Sequence, residues 1–156
     1  MKKMLIAVDD SKGTKDLFTI CLEMCSRICP ETVVLCYVEK LEGRSFLDDI
    51  LLSESEISTL VEALEGTEHQ EALDKKAKLV LDYYTKLLQE AGEAVIKQVI
   101  RKGHPAEEIL KTAQEEDIDL LMIGSRGSRK TSLLIGSVSR EVVNQARVPV
   151  LVVKER

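Results

Sequence analysis

Three glycines, Gly124, Gly127 and Gly136, follow a short apolar run from Ile118 to Ile123, and the last of them opens a segment with helical character. Strand, glycine loop and helix start, in that order, suit an anion. Glycine lets the backbone approach a ligand closely, and the unpaired N–H groups of a helix's first turn point at whatever sits there. A phosphate is the obvious candidate, and Arg126, Arg129 and Lys130 supply basic neighbours able to make charge-assisted contacts to it. The plainer alternative is a loop whose glycines only turn the chain, whose Ser137 only caps a helix and whose basic residues are solvated.

The same stretch narrowly misses the phosphate loop of nucleoside triphosphatases. Gly124-Ser-Arg-Gly-Ser-Arg129-Lys130-Thr131 would match G-x-x-x-x-G-K-[ST] if Arg129 were glycine. A side chain at that point opposes the positive φ that lets backbone wrap a phosphate, and the loop follows a late strand instead of opening the fold. Hydrolytic machinery is therefore not expected, and no general base stands beside the loop.

Asp9 is the other residue with chemistry to offer. It ends a compact apolar run, Lys3 to Val8, where a carboxylate can accept hydrogen bonds from ligand hydroxyls or simply form a turn. Cys21, Cys25 and Cys29 recur every fourth residue, with Leu17, Met24 and Ile28 on the same stripe, and Cys36 lies in the next strand. Neither His69 nor His104 stands at a finger-like spacing from them, so buried thiols are expected in place of a metal or redox site. His104 reads as a loop residue, a place near a bound anion being the alternative.

The elements that must position these groups alternate along the chain. Strands are expected at 3–8, 32–38, 94–100, 118–123 and 148–153, and helices at 12–28, 68–91, 105–116 and 137–146. Pro30 and Gly92 stop the first two helices, and Pro105 fits the first position of the third. Such alternation specifies an α/β fold, an open five-stranded parallel sheet with helices on both faces, Rossmann-like in its winding. A strand order of 3-2-1-4-5 makes the ends of the first and fourth strands neighbours where the winding reverses, and ligands bind at that point. Residues 40–67 interrupt the pattern. There Phe46, Leu47, Ile50, Leu51 and Leu52 could cover the domain's own core, close over a ligand or meet a partner, and Ser53-Glu-Ser-Glu56 resembles a capping box opening a short helix through Leu64.

The 156 residues, 44% apolar and 31% charged, suffice for a single domain over 1–156 with its own core. A formal charge of -5 argues against a general nucleic-acid binder. The apolar run at the start is short and ends in Asp9-Asp10, as a strand does and a secretory signal does not, and no segment approaches the ~20 apolar residues that span a bilayer. A cytoplasmic protein without membrane attachment is the expectation.

Gly124-x-x-Gly127, then Gly136-Ser137-Val138, then Val148-Pro-Val-Leu-Val-Val153 closely resemble the universal stress protein family. Ala7-Val8-Asp9, Leu35-Cys-Tyr-Val38, Gly103-His-Pro-Ala-Glu-Glu-Ile109 and Asp119-Leu-Leu-Met-Ile-Gly-Ser-Arg-Gly127 extend the resemblance over the chain's length. It implies the open α/β fold and a homodimer paired through the final strand, 148–153, where Pro149 is compatible with an edge position.

Family members that bind ATP carry G-x2-G-x9-G-[ST], and the resemblance then implies a nucleotide site in this chain. Ala7, Val8, Asp9, Val38 and Ile123 would surround the nucleoside, and Gly124, Arg126, Gly127, Gly136, Ser137, Val138 and Ser139 would lie along the phosphates. ATP is the implied ligand, Mg²⁺ a possible companion with Asp9 as its ligand, and a signalling or stress-response module the implied role. Slow hydrolysis would be incidental to it. One departure stands out: eight residues, Ser128 to Ile135, separate Gly127 from Gly136 where the pattern has nine. Relatives lacking the glycines do not use ATP, so a dimeric interaction protein without nucleotide is the first alternative, and an ATP-hydrolysing enzyme the second.

Overall fold

A computed structural model describes residues 1–40, 55, 59, 68–126 and 135–154. In chain order the elements are β1 (Lys3–Val8), α1 (Lys12–Ile28), β2 (Thr32–Glu39), α2 (Glu68–Ala91), β3 (Val95–Lys102), α3 (Pro105–Glu115), β4 (Leu120–Gly124), α4 (Ser137–Gln145) and β5 (Val150–Val153). The five strands form one parallel sheet in the order β3-β2-β1-β4-β5. Of the 40–67 excursion only Lys40, Ser55 and Thr59 are described, the last two helical, with the Thr59 hydroxyl donating to the Ser55 carbonyl at 2.9 Å. The expectations about Phe46 to Leu52 and the Ser53–Glu56 capping box otherwise lie outside the described residues.

Strand alternation sorts the core into two layers. Met4, Ile6 and Val8 of β1 point with Val33, Leu35 and Tyr37 of β2 toward α1 and α2, where they meet Leu17, Phe18, Leu81 and Tyr84. Leu5, Ala7, Val34 and Cys36 point the other way and pack with Leu121 and Ile123 against Ile109 and Ala113 of α3 and Val142 of α4. The central strands β1, β2 and β4 are apolar on both sides because helices cover both sides. β3, at one edge, leaves Val95 and Ile100 exposed.

Element ends differ from the sequence expectation where backbone hydrogen bonds overrule apolar runs. Ile118 is buried and apolar but does not yet belong to β4. Its amide donates to the Ala113 carbonyl and that of Asp117 to Gln114, while Asp117 adopts the left-handed conformation at φ 54. This double bond closes α3 as a Schellman motif, with aspartate where glycine is usual. β5 likewise starts at Val150, not Val148, because Pro149 has no amide to give the ladder, although its carbonyl accepts from Leu121 at 3.0 Å. At the end of α1 it is Cys29, at φ 48, that turns the chain before Pro30, with its amide on the Cys25 carbonyl. Cys29 is exposed and Cys25 half-buried, so only Cys21 and Cys36 meet the expectation of buried thiols.

Candidate functional site

The parallel register Met4↔Leu120, Leu5↔Leu121 and Ile6↔Met122 sets the carboxyl ends of β1 and β4 side by side. β1 feeds its chain toward β2 and β4 feeds its chain toward β5, so the two following loops part and leave a cleft between them. Its walls mix apolar and polar groups. Val8, Val38, Ile109, Ile123 and Val138 give apolar surface, and Asp9, Thr14, Lys40, Arg126 and Ser139 bring polar or charged atoms.

Asp9 is held in place before any ligand arrives. Its Oδ1 accepts the Ser11 amide at 2.8 Å, the Ser11 hydroxyl, and the Thr14 hydroxyl at 2.6 Å. The Asp9 amide in turn donates to Thr14 Oγ1 at 3.0 Å. Ser11 is the N-cap residue of α1, yet its hydroxyl serves the aspartate and makes no cap bond of its own. All three donors fall on Oδ1, which leaves the lone pairs of Oδ2 for a ligand hydroxyl or a cation.

Across the cleft, β4 and α4 are tied together at the base of the glycine loop. The Ser125 amide donates to the Val153 carbonyl at 2.7 Å, and the Ser125 carbonyl accepts the Gly136 amide at 2.6 Å. The buried Ser139 hydroxyl donates to the Gly124 carbonyl at 2.6 Å. Gly136 is thus the N-cap residue of α4 and Ser137 its first helical residue, correcting the reading of Ser137 as the cap. Among the described residues no side chain caps this helix, so toward them the amides of its first turn remain available. Gly124 and Gly136 keep a fixed relation through these bonds.

The fourth wall rests on two glycines. A Cβ placed on Gly13, in the first turn of α1, would lie 2.5 Å from the Arg126 carbonyl oxygen, and one on Gly124 would lie 3.2 Å from the Gly13 carbonyl. The start of α1 and the end of β4 therefore interlock backbone to backbone beside Asp9.

Of the twelve residues expected from the sequence, Ala7, Val8, Asp9, Val38, Ile123, Gly124, Arg126, Val138 and Ser139 line this cleft. Gly136 and Ser137 stand at the start of α4 without lining it, and Gly127 lies outside the described residues, as do Arg129 and Lys130. Sequence reading missed Thr14, Cys36, Lys40, Pro105 and Ile109. Thr14 had a visible signal, a hydroxyl five residues after a strand-ending aspartate. Cys36 did not, since only the fold turns it toward the cleft. There burial pushes its thiol up to about 11, so it stays protonated and its Sγ donates to Thr112 Oγ1 at 3.8 Å. His104, read as a loop residue, is the N-cap residue of α3 and faces Glu141.

Beside the cleft, Glu39 at the end of β2 is almost wholly buried. Gln70 Nε2 donates to its Oε2 at 2.7 Å and to Asp74 Oδ1 at 2.9 Å, Lys102 Nζ stands 4.0 Å away, and Glu39 Oε1 has no partner. Burial first and the neighbouring Asp74 second raise the Glu39 carboxyl above its usual range, against the pull of Gln70 and Lys102. The folded chain then holds this proton more tightly than the unfolded chain. Its contribution is present below the unfolded pKa and lost as pH rises through the folded value. Asp74 and Asp10, both lowered, act in the opposite direction and lose theirs as pH falls. Glu39→Gln is expected to stabilise the protein at neutral pH and to remove part of the decline in stability as pH rises above the usual carboxylate range. Urea melts across that rise check it, and an unchanged slope would refute the assignment.

The sequence model of the universal stress protein family matches residues 1–154. The chain belongs to the universal stress protein family. It is 32% identical to universal stress protein MJ0577 of Methanocaldococcus jannaschii over 160 aligned positions, covering 99% of this chain and 96% of that one. The solved structure of MJ0577 superimposes with a TM-score of 0.78 at 30% identity, again over 99% and 96% of the two chains. A universal stress protein family protein from Arabidopsis thaliana with AMP bound shares the fold at a TM-score of 0.69 and 21% identity, over 100% and 93%. A universal stress protein in complex with cAMP does so at 0.65 and 15%, over 99% and 98%. The family's open sheet is thus the frame on which this chain builds its cleft. No helix of the described residues is long and apolar enough to cross a membrane.

Proposed function

We propose that this universal stress protein binds an adenine nucleotide, ATP foremost, in the cleft between β1 and β4, and acts as a cytoplasmic, homodimeric signalling module. The observation that carries the proposal is the convergence of a pre-ordered carboxylate, Asp9, with the first-turn amides of α4 across one apolar-walled crevice. An adenine ring suits the surface of Val8, Val38 and Ile123, and ribose hydroxyls suit Asp9 Oδ2. Phosphates suit the start of α4, where peptide dipoles and unpaired amides favour negative charge. Gly124, Arg126, Val138 and Ser139 line the phosphate side, with Gly136 and Ser137 beside it at the start of α4, and Lys40 adds a cation; Gly127 joins them by the family's loop pattern. Mg²⁺ accompanying a triphosphate would find a hard oxygen ligand in Asp9, directly or through water. The AMP- and cAMP-bound proteins of the same fold support the choice of adenine nucleotides. β5 at the sheet edge, with Val150, Leu151 and Val152 half-exposed, supports pairing of two copies there.

Nucleotide released from the heat-denatured, freshly purified protein identifies the ligand directly, and calorimetry with ATP, ADP and AMP ranks it. Asp9→Ala and Gly136→Val are each expected to weaken ATP at least ~10-fold, about 1.4 kcal/mol, with the fold retained by circular dichroism. No released nucleotide and no heat with any of the three would instead favour the interaction protein without nucleotide, a reading that the shortened glycine loop keeps in view.

A further inference from the structure

Outside the cleft, α3 and α4 bring together three groups that the nucleotide reading leaves unused. His104, Glu107 and Glu141 each offer one ligand atom, and these atoms all lie within 4.8 Å of one another. His104 Nε2 stands 3.7 Å from Glu141 Oε2. Two ligands on a tetrahedral ion at ~2.0–2.1 Å sit roughly 3.3 Å apart, so a few tenths of an ångström of closure would let both ligate. Glu107 in the first turn of α3 is accounted for by the helix's positive end. Glu141 lies inside α4, where its Oε1 accepts a long bond from Gln145 Nε2 at 3.3 Å, and it turns its Oε2 toward the same imidazole. Two carboxylates against one imidazole leave an excess of negative charge that a dication neutralises, and a neutral imidazole is itself a ligand for such ions.

We propose that His104, Glu107 and Glu141 form a binding site for a divalent first-row transition metal, zinc in the first instance, bridging α3 to α4. Imidazole in the set selects this class over Mg²⁺ and Ca²⁺, which take oxygen ligands. His104 Nδ1 is buried without a hydrogen-bond partner among the described residues, so the ring lacks the outer acceptor that strengthens tight metal sites, and binding is weaker than at a fully supported site. Three protein ligands leave further coordination positions to water. The position gives the ion a use: Pro105 and Ile109 of α3 and Val138 and Ser139 of α4 line the cleft, so a bridge between these helices braces that wall.

The test uses tag-free, nucleotide-stripped protein carrying Cys29→Ser, because the exposed Cys29 thiol would otherwise compete for metal. Titration with Co²⁺, read by visible absorption and calorimetry, is expected to show one site per chain, displaced by Zn²⁺ but not by millimolar Mg²⁺. Zn²⁺ is expected to raise the unfolding midpoint. Glu141→Gln and His104→Ala should each weaken Co²⁺ at least about tenfold and cancel that rise, with unchanged circular dichroism. Absence of saturable uptake, or uptake equal in both variants and the parent, would overturn the site. Since no nucleotide is present, either result stands apart from the nucleotide reading.

Discussion

A Gly13→Val protein is expected to fold less stably and to lose nucleotide binding. The cause is steric. A methyl carbon at Gly13 falls 2.5 Å from the Arg126 carbonyl oxygen, a backbone atom that cannot rotate away as a flexible side chain would. Overpacking of this kind costs about 1–3 kcal/mol, and part of it would be relieved by pushing the end of β4 away from α1. Gly124 moves with it, since it packs so closely on α1 that a Cβ there would lie 3.2 Å from the Gly13 carbonyl oxygen. That displacement separates the two walls that carry Asp9 and the glycine loop. Gly13→Ala should give a smaller effect of the same sign. Calorimetry with ATP beside urea melts of both variants checks the prediction, and unaltered affinity together with unaltered stability in Gly13→Val would sink it.

Phe18→Ala should give the largest loss of stability, about 3–5 kcal/mol. Phe18 is 2% exposed and stacks on Tyr84 at a centroid distance of 4.0 Å and an interplanar angle of 27°. It is thus the main aromatic link between α1 and α2. Against a total of roughly 5–15 kcal/mol, that loss leaves a narrow margin of folded protein at physiological temperature. The ring belongs to the layer under α1 and α2 and takes no part in lining the cleft, so ATP affinity measured in the cold should stay near that of the parent. A loss below about 1 kcal/mol would mean that the layer closes over the gap.

The order of elements and the strand order could be read from the chain because each segment states its own period. Lys12–Ile28 and Glu68–Ala91 were legible to the residue, since each carries a helical stripe ended by Pro30 or Gly92. Where boundaries slipped, the cause was a backbone bond with no sequence signature, as with Ile118 completing the Schellman turn after α3. The cleft was legible for residues inside recognisable motifs, such as Asp9 and Gly124. It was illegible where one element reaches into another's territory. Gly13 carried no signal of its own in the sequence and proved to be a contact point for the end of β4. His104 and Glu141, 37 positions apart, meet only because α3 and α4 pack on the same face.

The pairing of β1 with β4 carries a consequence for biosynthesis. The Asp119 carboxylate accepts the amides of Lys2 and Lys3 at 2.6 and 2.9 Å, contacts 117 and 116 positions apart along the chain. A nascent polypeptide can assemble β1, α1 and β2 early, but it must wait for α2, β3 and α3 to be made before β4 gives β1 its second neighbour. Closing so large a ring is slow and entropically costly. Until translation has delivered β4, the first strand therefore offers a naked apolar flank to the ribosome's surroundings, and chaperone engagement should peak in that interval and end when the ring shuts.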